Sequence, residues 1–431
     1  MRFSNKAGVA VLAAASMLLA GCGDDGSPSA GSTGGGGDSS LTWWVMKGTN
    51  PDASAFYAEA KKQFKKETGA TLKVQEIQWA DAHDKLVRAF AGGEGPDVSE
   101  IGTTWTPEFA AAGGLTDLTD KINDSGVSKD LIPALKDSAT YNGKMYGVGW
   151  YAGTRAIVYR TDIFKKDGLQ PPTSWAQLQS LVDTLHKKEP KMLPFPVAGG
   201  SSYGAAPFIW GAGGDFATKD GDQWKGALDS PQAQEGLTYY TNLALKHHSS
   251  STGAATWLET DLLDSFTKGK SVMVIQGNWT PGTVAEQNPE LKGKIGAFAI
   301  PGKDGGMAPA FLGGSNLAVL KTSEKQDLAW KFVKMMTTGT LSKKWAEQTN
   351  FFPSTQTQLK KFAESPDPLV APFAKVMLNA GKNVPSAPQW GAVEGDKTVS
   401  QMLQSILTGT SVADATKKAS DAITKTLNSG S

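Results

Sequence analysis

Hydrophobic positions in the first hundred residues change between strand spacing and helix spacing. Residues 41–46 and 71–78 place apolar side chains on alternate positions or in a short run, which is typical of strands, and residues 97–101 are interpreted as a third strand. Residues 52–68 and 81–91 repeat apolar side chains every three or four positions and are followed by glycine, which predicts two helices. Strands and helices that alternate in this way are typical of a parallel sheet covered on both faces.

A second α/β segment begins near residue 145. Residues 145–160 and 193–199 predict strands, residues 230–247 predict a helix, and residues 174–188 predict a helix capped by Ser174. The last hundred residues carry mainly helical patterns. A body of roughly 390 residues is too long for one ordinary hydrophobic core, so two α/β domains are expected.

The N-terminus has the pattern of an export signal. Arg2 and Lys6 precede an uncharged apolar run that is too short to span a bilayer and that ends in LAGC. This ending resembles the lipobox of bacterial lipoproteins, in which the cysteine carries a diacylglycerol. The sequence therefore predicts a signal peptide over residues 1–21 and lipidation of Cys22. Residues 22–40 are rich in Gly and Ser and predict a flexible tether.

Composition excludes several kinds of partner. The chain carries 43 basic and 42 acidic side chains, so it lacks the positive excess that nucleic acid binding requires. It has 1 cysteine and therefore no internal disulfide, and no histidine pair has metal-ligand spacing, so neither a metal nor another cofactor is expected. The 13 tryptophans are unusually many for large side chains that are costly to order.

Aromatic and polar side chains follow the ends of the predicted strands. Ligands of parallel α/β sheets bind beyond these ends. An indole stacks on the C–H face of a sugar while amides and hydroxyls bond to its hydroxyl edge, so the combination predicts a carbohydrate site. Trp210 is a further aromatic candidate. The candidates at strand ends are Lys47, Gln78, Trp79, Thr104, Trp105, Trp150, Tyr151, Asn278, Trp279, Gly313, Gly314 and Ser315.

Four segments resemble a known family in their order and spacing. They are GGEGPDVSEIG, YNGKMYGVGWYAGTRAIVYRTDIFKK, FTKGKSVMVIQGNW and PAFLGGSNLAVLKTSEKQDLAWKFVKMM. Together with the lipobox, they resemble the family 1 extracellular solute-binding proteins of bacterial ABC importers, which include maltose- and oligosaccharide-binding proteins. The resemblance implies an α/β, two-lobed periplasmic-binding-protein fold of type II. Each lobe would be a mainly parallel sheet flanked by helices, with the ligand cleft at the hinge.

The resemblance also implies lobe boundaries. The N-terminal lobe would hold residues 41–150 plus 312–352, and the C-terminal lobe residues 151–311 plus 353–425. Ligand contacts would come from a first-lobe loop, a hinge segment, a sugar-stacking loop of the second lobe and a second hinge crossing. The residues at these positions are, in that order, Thr104 and Trp105; Trp150, Tyr151 and Arg155; Asn278 and Trp279; and Gly313, Gly314 and Ser315.

Two details of the resemblance bear on the ligand. Maltodextrin binders carry charged residues in the first-lobe loop, whereas this chain has Thr103, Thr104, Trp105 and Thr106 there, so a sugar other than maltose is expected. The opening segment TWWVMKGTN is similar to that of actinobacterial binders of chitobiose-like and plant-derived oligosaccharides.

Other functions stay open on the residues alone. The stretch GSSYG fits the G-x-S-x-G pattern of serine hydrolases, with Ser202 as nucleophile and Asp215 and His247 or His248 as its partners. The pattern is short and occurs readily in a chain with 49 glycines. A binding protein for a non-sugar solute, such as a peptide, is the other alternative.

The residues and the resemblance together predict a lipid-anchored protein on the extracellular face of the cell membrane. It would bind a di- or oligosaccharide, with a chitobiose-type amino sugar as a candidate, and deliver it to the membrane permease of an ABC importer. It is expected to act as a monomer and to catalyse no reaction.

Overall fold

The structure is a computed structural model that describes residues 39–47 and 52–429. The predicted signal peptide, the lipidation site Cys22 and nearly all of the tether lie outside the described residues. These features therefore stay predictions.

The first hundred residues form the predicted parallel sheet. Strand β1, Ser40–Lys47, pairs in parallel with β2, Thr71–Gln78, on one side and with β3, Val98–Gly102, on the other. Helix α1, Ser54–Thr68, and helix α2, Trp79–Gly92, make the crossovers. The helical spacing of their apolar residues lets each bury one face, which confirms the strand–helix order predicted from periodicity.

The rest of the described chain alternates between short strands and helices. The strands are β4 Thr140–Tyr141, β5 Lys144–Met145, β6 Val148–Arg160, β7 Ala217–Asp220, β8 Gln223–Gly226, β9 Met273–Gly277, β10 Ile295–Phe298, β11 Ala310–Val319, β12 Phe352–Pro353 and β13 Gly381–Lys382. The helices are α3 Thr106–Ala111, α4 Thr119–Asp124, α5 Pro133–Ser138, α6 Thr161–Asp167, α7 Trp175–Lys188, α8 Ser202–Gly211, α9 Pro231–Leu245, α10 Glu259–Thr267, α11 Thr280–Gln287, α12 Gln326–Thr338, α13 Thr340–Thr349, α14 Gln356–Ala363, α15 Ala371–Ala380, α16 Trp390–Gly395, α17 Thr398–Leu407 and α18 Val412–Leu427.

Two long strands, β6 and β11, join the parallel strands to the second half of the chain. The sheet has the order β10-β6-β11-β3-β1-β2, and β9 and β12 also pair with β6. The pairs β11–β3, β11–β6, β6–β9 and β6–β10 are all antiparallel. Strands β2, β1 and β3 therefore form a parallel sheet. The pairs that β6 makes with β9, β10 and β11, and the pair of β11 with β3, are antiparallel.

Two local expectations differ from the structure. Residues 193–199 form no strand beyond a single bridge from Leu193 to Ser271, because Pro194 and Pro196 have no N–H to donate to a sheet. The GSSYG stretch, expected in a cleft-side loop or a nucleophile turn, instead begins α8. The Ser201 hydroxyl accepts a hydrogen bond from the Gly204 N–H at 3.1 Å and so caps this helix.

Buried apolar side chains form four clusters. One cluster lies against the parallel strands and centres on Trp43, Trp150 and Trp345, while a smaller one covers the opposite face of those strands. The two others lie mainly among elements from residue 152 onwards. None of the helices in the described part of the chain is both long enough and apolar enough to cross a membrane.

Candidate functional site

A cavity of about 540 Å³ opens where β3, β6 and β11 meet. Its walls come from the start of α2, the loop after β3, both long strands and four other segments, so residues far apart in the chain meet around it. The lining residues are Trp79, Gly102, Thr103, Thr104, Trp105, Tyr151, Arg155, Tyr203, Trp279, Phe311, Gly313, Gly314, Ser315, Phe351 and Glu394.

Two indoles form one aromatic wall of the cavity. Trp79 begins α2 and Trp105 precedes α3, and their ring centroids lie 5.5 Å apart with planes inclined by 64°. Both side chains are partly exposed. His83 packs edge-on against Trp105 at 5.2 Å and hydrogen-bonds through Nε2 to Glu108 at 2.9 Å, which holds the indole in place. Two partly exposed indoles, one of them held by His83, offer ring faces that are suited to stacking on a sugar ring.

A second aromatic wall faces the cavity from elements later in the chain. Trp279 follows β9 and stacks on Phe351, with ring centroids 5.3 Å apart. Tyr203 of α8 stacks in parallel on Phe311 of β11 at 3.9 Å. Gly277 is needed for this arrangement, because a Cβ there would overlap the Trp279 ring.

The guanidinium of Arg155 is buried among these aromatic rings. Its carbon lies 4.8 Å from the ring centre of Tyr203 and 5.1 Å from those of Trp279 and Phe311. Its Nη2 pairs with Glu259 Oε2 at 3.1 Å. The ion pair and the aromatic faces compensate the charge that burial would otherwise penalise, so Arg155 holds the second aromatic wall together.

Glu394 of α16 joins the second wall through its carboxylate. Oε1 accepts hydrogen bonds from the Tyr203 hydroxyl at 2.5 Å and from Trp390 Nε1 at 3.0 Å. Burial raises the pKa of the Glu394 carboxyl, and burial together with the nearby Glu394 charge raises the pKa of Tyr203 well above its usual value. Tyr203 is therefore a hydrogen-bond donor at every physiological pH.

A buried carboxyl group, that of Glu100, lies behind the cavity lining and holds two of its side chains in position. Glu100 of β3 is fully buried and accepts hydrogen bonds from the Tyr151 hydroxyl at 2.5 Å and from the Met46 N–H at 2.7 Å. The Ser315 hydroxyl donates to the Tyr151 oxygen at 3.3 Å. Burial raises the pKa of Glu100 to about 7. The positions of two lining side chains, Tyr151 and Ser315, thus depend on Glu100.

The raised pKa of Glu100 predicts that stability falls as the pH rises. Between its ordinary value of 4.5 and about 7 the folded protein holds a proton that the unfolded chain has lost, so the unfolding free energy decreases with pH across this window. Urea unfolding from about pH 5 to about pH 8 measures the slope. Glu100→Gln cannot titrate and should have a flatter dependence. An equal slope in wild type and variant would contradict the assignment.

The structure brings nine of the predicted ligand-binding residues to the cavity, and contact with a ligand stays a prediction. These nine come from the start of α2, the loop after β3, the two long strands and the loop after β9. They are Trp79, Thr104, Trp105, Tyr151, Arg155, Trp279, Gly313, Gly314 and Ser315.

Trp150 and Asn278 are placed away from the cavity lining. Trp150 is fully buried and stacks on Trp345 at 4.5 Å, at a bulge where the pairing of β6 with β11 shifts by one residue. Asn278 Oδ1 accepts from the Thr154 N–H at 2.9 Å, and its amide donates to a backbone carbonyl. Both residues therefore have structural roles, and the expectation that they line the site is corrected.

Three other predicted residues also lie outside the lining. Lys47 and Gln78 are register partners at the ends of β1 and β2, where Lys47 is 4.0 Å from Glu76 and Gln78 is exposed. Trp210 is buried at the end of α8 and donates through Nε1 to Asp215 at 2.9 Å, beside a separate cavity. A position at the end of a strand correctly predicted that Trp79 lines the cavity, but the same criterion was wrong for Lys47 and Gln78.

Four side chains of the lining were not identified from the sequence. Tyr203 and Glu394 lie on helices, and Phe311 and Phe351 lie on or beside strands of the second half of the chain. Of these four, only Phe311 could have been identified from the sequence. It precedes Gly313 by two residues in β11, so the two residues lie on the same face of the strand.

The residues proposed for a serine hydrolase have other partners. Asp215 accepts from Trp210 and pairs with Lys382 at 2.7 Å, and His247 bonds through Nδ1 to Asp183 at 2.8 Å. Ser202 lies in the first turn of α8. The described hydrogen bonds thus do not assemble a triad from Ser202, Asp215 and His247.

Comparison with known proteins gives consistent results. Residues 47–338 match the family described as bacterial extracellular solute-binding protein. The diacetylchitobiose binding protein DasA of Streptomyces coelicolor is 32% identical over 434 residues, covering 97% of this chain and 98% of that protein. The sugar-binding protein MalE of Xanthomonas citri superposes with a TM-score of 0.81 at 22% identity, covering 90% of this chain and 97% of that one. The cyclic alpha-maltosyl-1,6-maltose binding protein of Arthrobacter globiformis has a TM-score of 0.77 at 24% identity, covering 91% of this chain and 100% of that one.

These similarities confirm the α/β, two-lobed fold class that the four sequence segments implied. The family match covers most of the chain, and the similarity to the Streptomyces coelicolor protein extends over nearly all of it. The chain belongs to the family of bacterial extracellular solute-binding proteins.

Proposed function

We propose that this protein is the lipid-anchored, sugar-binding component of an ABC importer, and that its ligand is a di- or oligosaccharide of the diacetylchitobiose type. The observation that carries the proposal is the cavity with two opposed aromatic walls. The relative that is 32% identical is named for diacetylchitobiose, which supports the choice of ligand class.

The chemistry of the lining suits a neutral sugar. Indole rings offer flat apolar surfaces to sugar C–H faces, while the partly exposed Thr104 offers a hydroxyl group to the polar edge. The charge of Arg155 is balanced by Glu259 at 3.1 Å, so the cavity does not require a strongly charged ligand. Binding would leave the sugar chemically unchanged.

The proposed mechanism is closure of two lobes on the ligand. We assign residues 41–150 plus 312–352 to one lobe and residues 151–311 plus 353–425 to the other, with β6 and β11 as the hinge strands. Of its buried members, the cluster around Trp43 draws on the first set except for Tyr151, while a large second cluster draws almost wholly on the other. A ligand that contacts both aromatic walls would favour the closed state.

A ligand panel tests the proposal. Intrinsic tryptophan fluorescence and thermal shift would be followed while the purified protein is titrated with diacetylchitobiose, cellobiose, xylobiose, maltose and trehalose, with a dipeptide as control. We expect saturable binding of at least one sugar, with the sugar recovered intact. If no sugar changes the fluorescence or the Tm and the dipeptide does, the protein is a peptide-binding protein and the sugar proposal is wrong. Release of a cleaved product would show an enzyme.

The lipid anchor has a separate test. Cys22 is the sole cysteine of the chain, so Cys22→Ala removes the only thiol that could carry a diacylglycerol. We expect the variant to appear in the culture medium while wild type stays with the membrane fraction, as followed by immunoblot. Membrane retention of the variant would contradict the anchor and would leave sugar binding unaffected.

A further inference from the structure

A second, smaller cavity adjoins the sugar site. It has a volume of about 200 Å³ and shares Tyr203 and Glu394 with the lining of the main cavity. We name it the annex. Its lining residues are Ser202, Tyr203, Phe216, Val384, Trp390, Val393, Glu394, Lys397, Val399 and Ser400.

Half of the residues that line the annex are apolar. Phe216, Val393 and Trp390 are each at most 2% exposed, and Val384 and Val399 are also buried. A sugar hydroxyl placed against this apolar part of the wall would lose hydrogen bonds to water without gaining partners there. A methyl group would gain by leaving water. The annex is therefore suited to a small apolar substituent of a ligand rather than to another hydroxyl-covered ring.

Glu394 stands at the boundary between the two cavities. Both hydrogen bonds that it accepts, from Tyr203 and from Trp390, end on Oε1. Among the described residues no hydrogen bond reaches Oε2, and this oxygen is not enclosed by protein. A carboxylate oxygen in that position can accept one more N–H or O–H, and charge-assisted bonds of this kind are stronger than neutral ones.

We propose, on the basis of the sugar-binding function proposed above, that the annex is a subsite for the acetamido group of an N-acetylated amino sugar. Glu394 Oε2 accepts the amide N–H of that group, and the acetyl methyl enters the apolar annex. An acetamido group has an N–H donor at one end of its amide and a methyl group at the other. The donor matches Glu394 at the boundary of the annex, and the methyl group matches the apolar part of the annex wall. The subsite explains selectivity for acetamido sugars over sugars with a hydroxyl at the same carbon.

A free amino sugar is the closest competitor in chemistry. Its ammonium would also pair with Glu394, but it has no methyl group for the annex. The comparison of diacetylchitobiose with its deacetylated form and with cellobiose therefore separates the two recognition elements. The acetyl group is expected to account for tighter binding of the first sugar than of either of the others.

Two variants test the subsite by different routes. Glu394→Gln keeps an oxygen for Tyr203 and Trp390 and replaces the other oxygen with a donor. Ser202→Phe, at the first turn of α8, places bulk in the annex and keeps the Glu394 carboxylate. Each is expected to weaken diacetylchitobiose binding by about tenfold. Because Ser202 does not line the main cavity, Ser202→Phe should change cellobiose binding by less than about twofold, and Glu394→Gln should weaken cellobiose binding less than diacetylchitobiose binding. Affinities are measured by calorimetry and, for weak sugars, by competition.

Controls make each outcome decisive. Glu290→Gln makes the same chemical change at an exposed position and should leave all affinities unchanged. Binding stoichiometry and the ligand-free Tm identify any misfolded variant. Full affinity for diacetylchitobiose in either folded variant, or equal loss for diacetylchitobiose and cellobiose, overturns the subsite. If no sugar binds to wild type, the proposed function fails instead.

Discussion

Replacing Trp279 with alanine is expected to weaken the affinity for diacetylchitobiose by about tenfold or more, a loss of about 1.4 kcal/mol in binding free energy. The indole lines the cavity and is held at a fixed angle by Phe351 at 5.3 Å and by the Arg155 guanidinium at 5.1 Å. Alanine removes both the stacking surface and the apolar area that a bound sugar would cover. Calorimetric titration measures the loss.

The control for this substitution is a tryptophan of similar exposure elsewhere. Trp330 on α12 is partly exposed, packs against the cluster around Trp43 and does not line the cavity. Trp330→Ala should lower the ligand-free Tm and leave the affinity unchanged. A weaker affinity of Trp279→Ala is evidence for a ligand contact only when the affinity is calculated per folded molecule. Unchanged affinity in folded Trp279→Ala would remove the residue from the site.

Arg155→Met should lower the unfolding free energy by about 3 kcal/mol. Arg155 is 8% exposed and Glu259, its partner, is 24% exposed, so the variant leaves a largely desolvated carboxylate without its counter-charge. The Ser201 hydroxyl, at 3.1 Å from Glu259 Oε1, supplies only a neutral donor in its place. Methionine keeps part of the packing against the aromatic rings, which isolates the electrostatic loss.

A double variant separates charge from packing. In Arg155→Met/Glu259→Gln the uncompensated carboxylate is gone, so part of the lost stability should return in urea unfolding at neutral pH. Arg160, whose pair with Asp162 is more exposed, is the matched control, and Arg160→Met should cost about 1 kcal/mol or less. Equal destabilisation in the single and double variants would show that packing, and not the ion pair, dominates.

The first sheet and its helices were predictable because the sequence shows both the spacing of the buried residues and the residues that end each element. The α1 pattern of Phe56, Tyr57, Ala60 and Phe64 indicates one buried face, and Gly69 ends the helix in a left-handed conformation. Strand β3 is buried over all of its length, as expected for a parallel strand covered on both faces, although its sequence VSEIG includes Ser99 and Glu100. Local sequence therefore contained most of what this part of the fold requires.

The second half was less predictable because long-range pairing decides it. Strand β6 is one 13-residue strand, although Gly153 interrupts its pattern, and it is continuous because it pairs with β9, β10, β11 and β12. Helix α8 is rich in Gly and Ala and contains Pro207, so its propensity is low and tertiary packing supplies its stability.

The site was half predictable for the same reason. Trp79 and Trp105 follow the parallel strands β2 and β3, so topology places them at one edge of that sheet. Trp279 follows β9, which runs in the opposite direction and ends opposite Arg155 of β6. Tyr203 and Glu394 come from helices nearly two hundred residues apart in the chain and meet through one hydrogen bond, for which no local pattern exists. Trp150 satisfied the same criterion as Tyr151 but is fully buried against Trp345, at a bulge in the pairing of β6 with β11 that no local pattern indicates.

A crystal structure of the protein grown with saturating diacetylchitobiose tests the central claim most directly. The account predicts electron density for an intact disaccharide between the Trp79–Trp105 wall and Trp279, with an acetamido group beside Glu394. Density for the sugar at another surface, or an empty cavity at a concentration that saturates binding in solution, would contradict the assignment of this cavity as the sugar site.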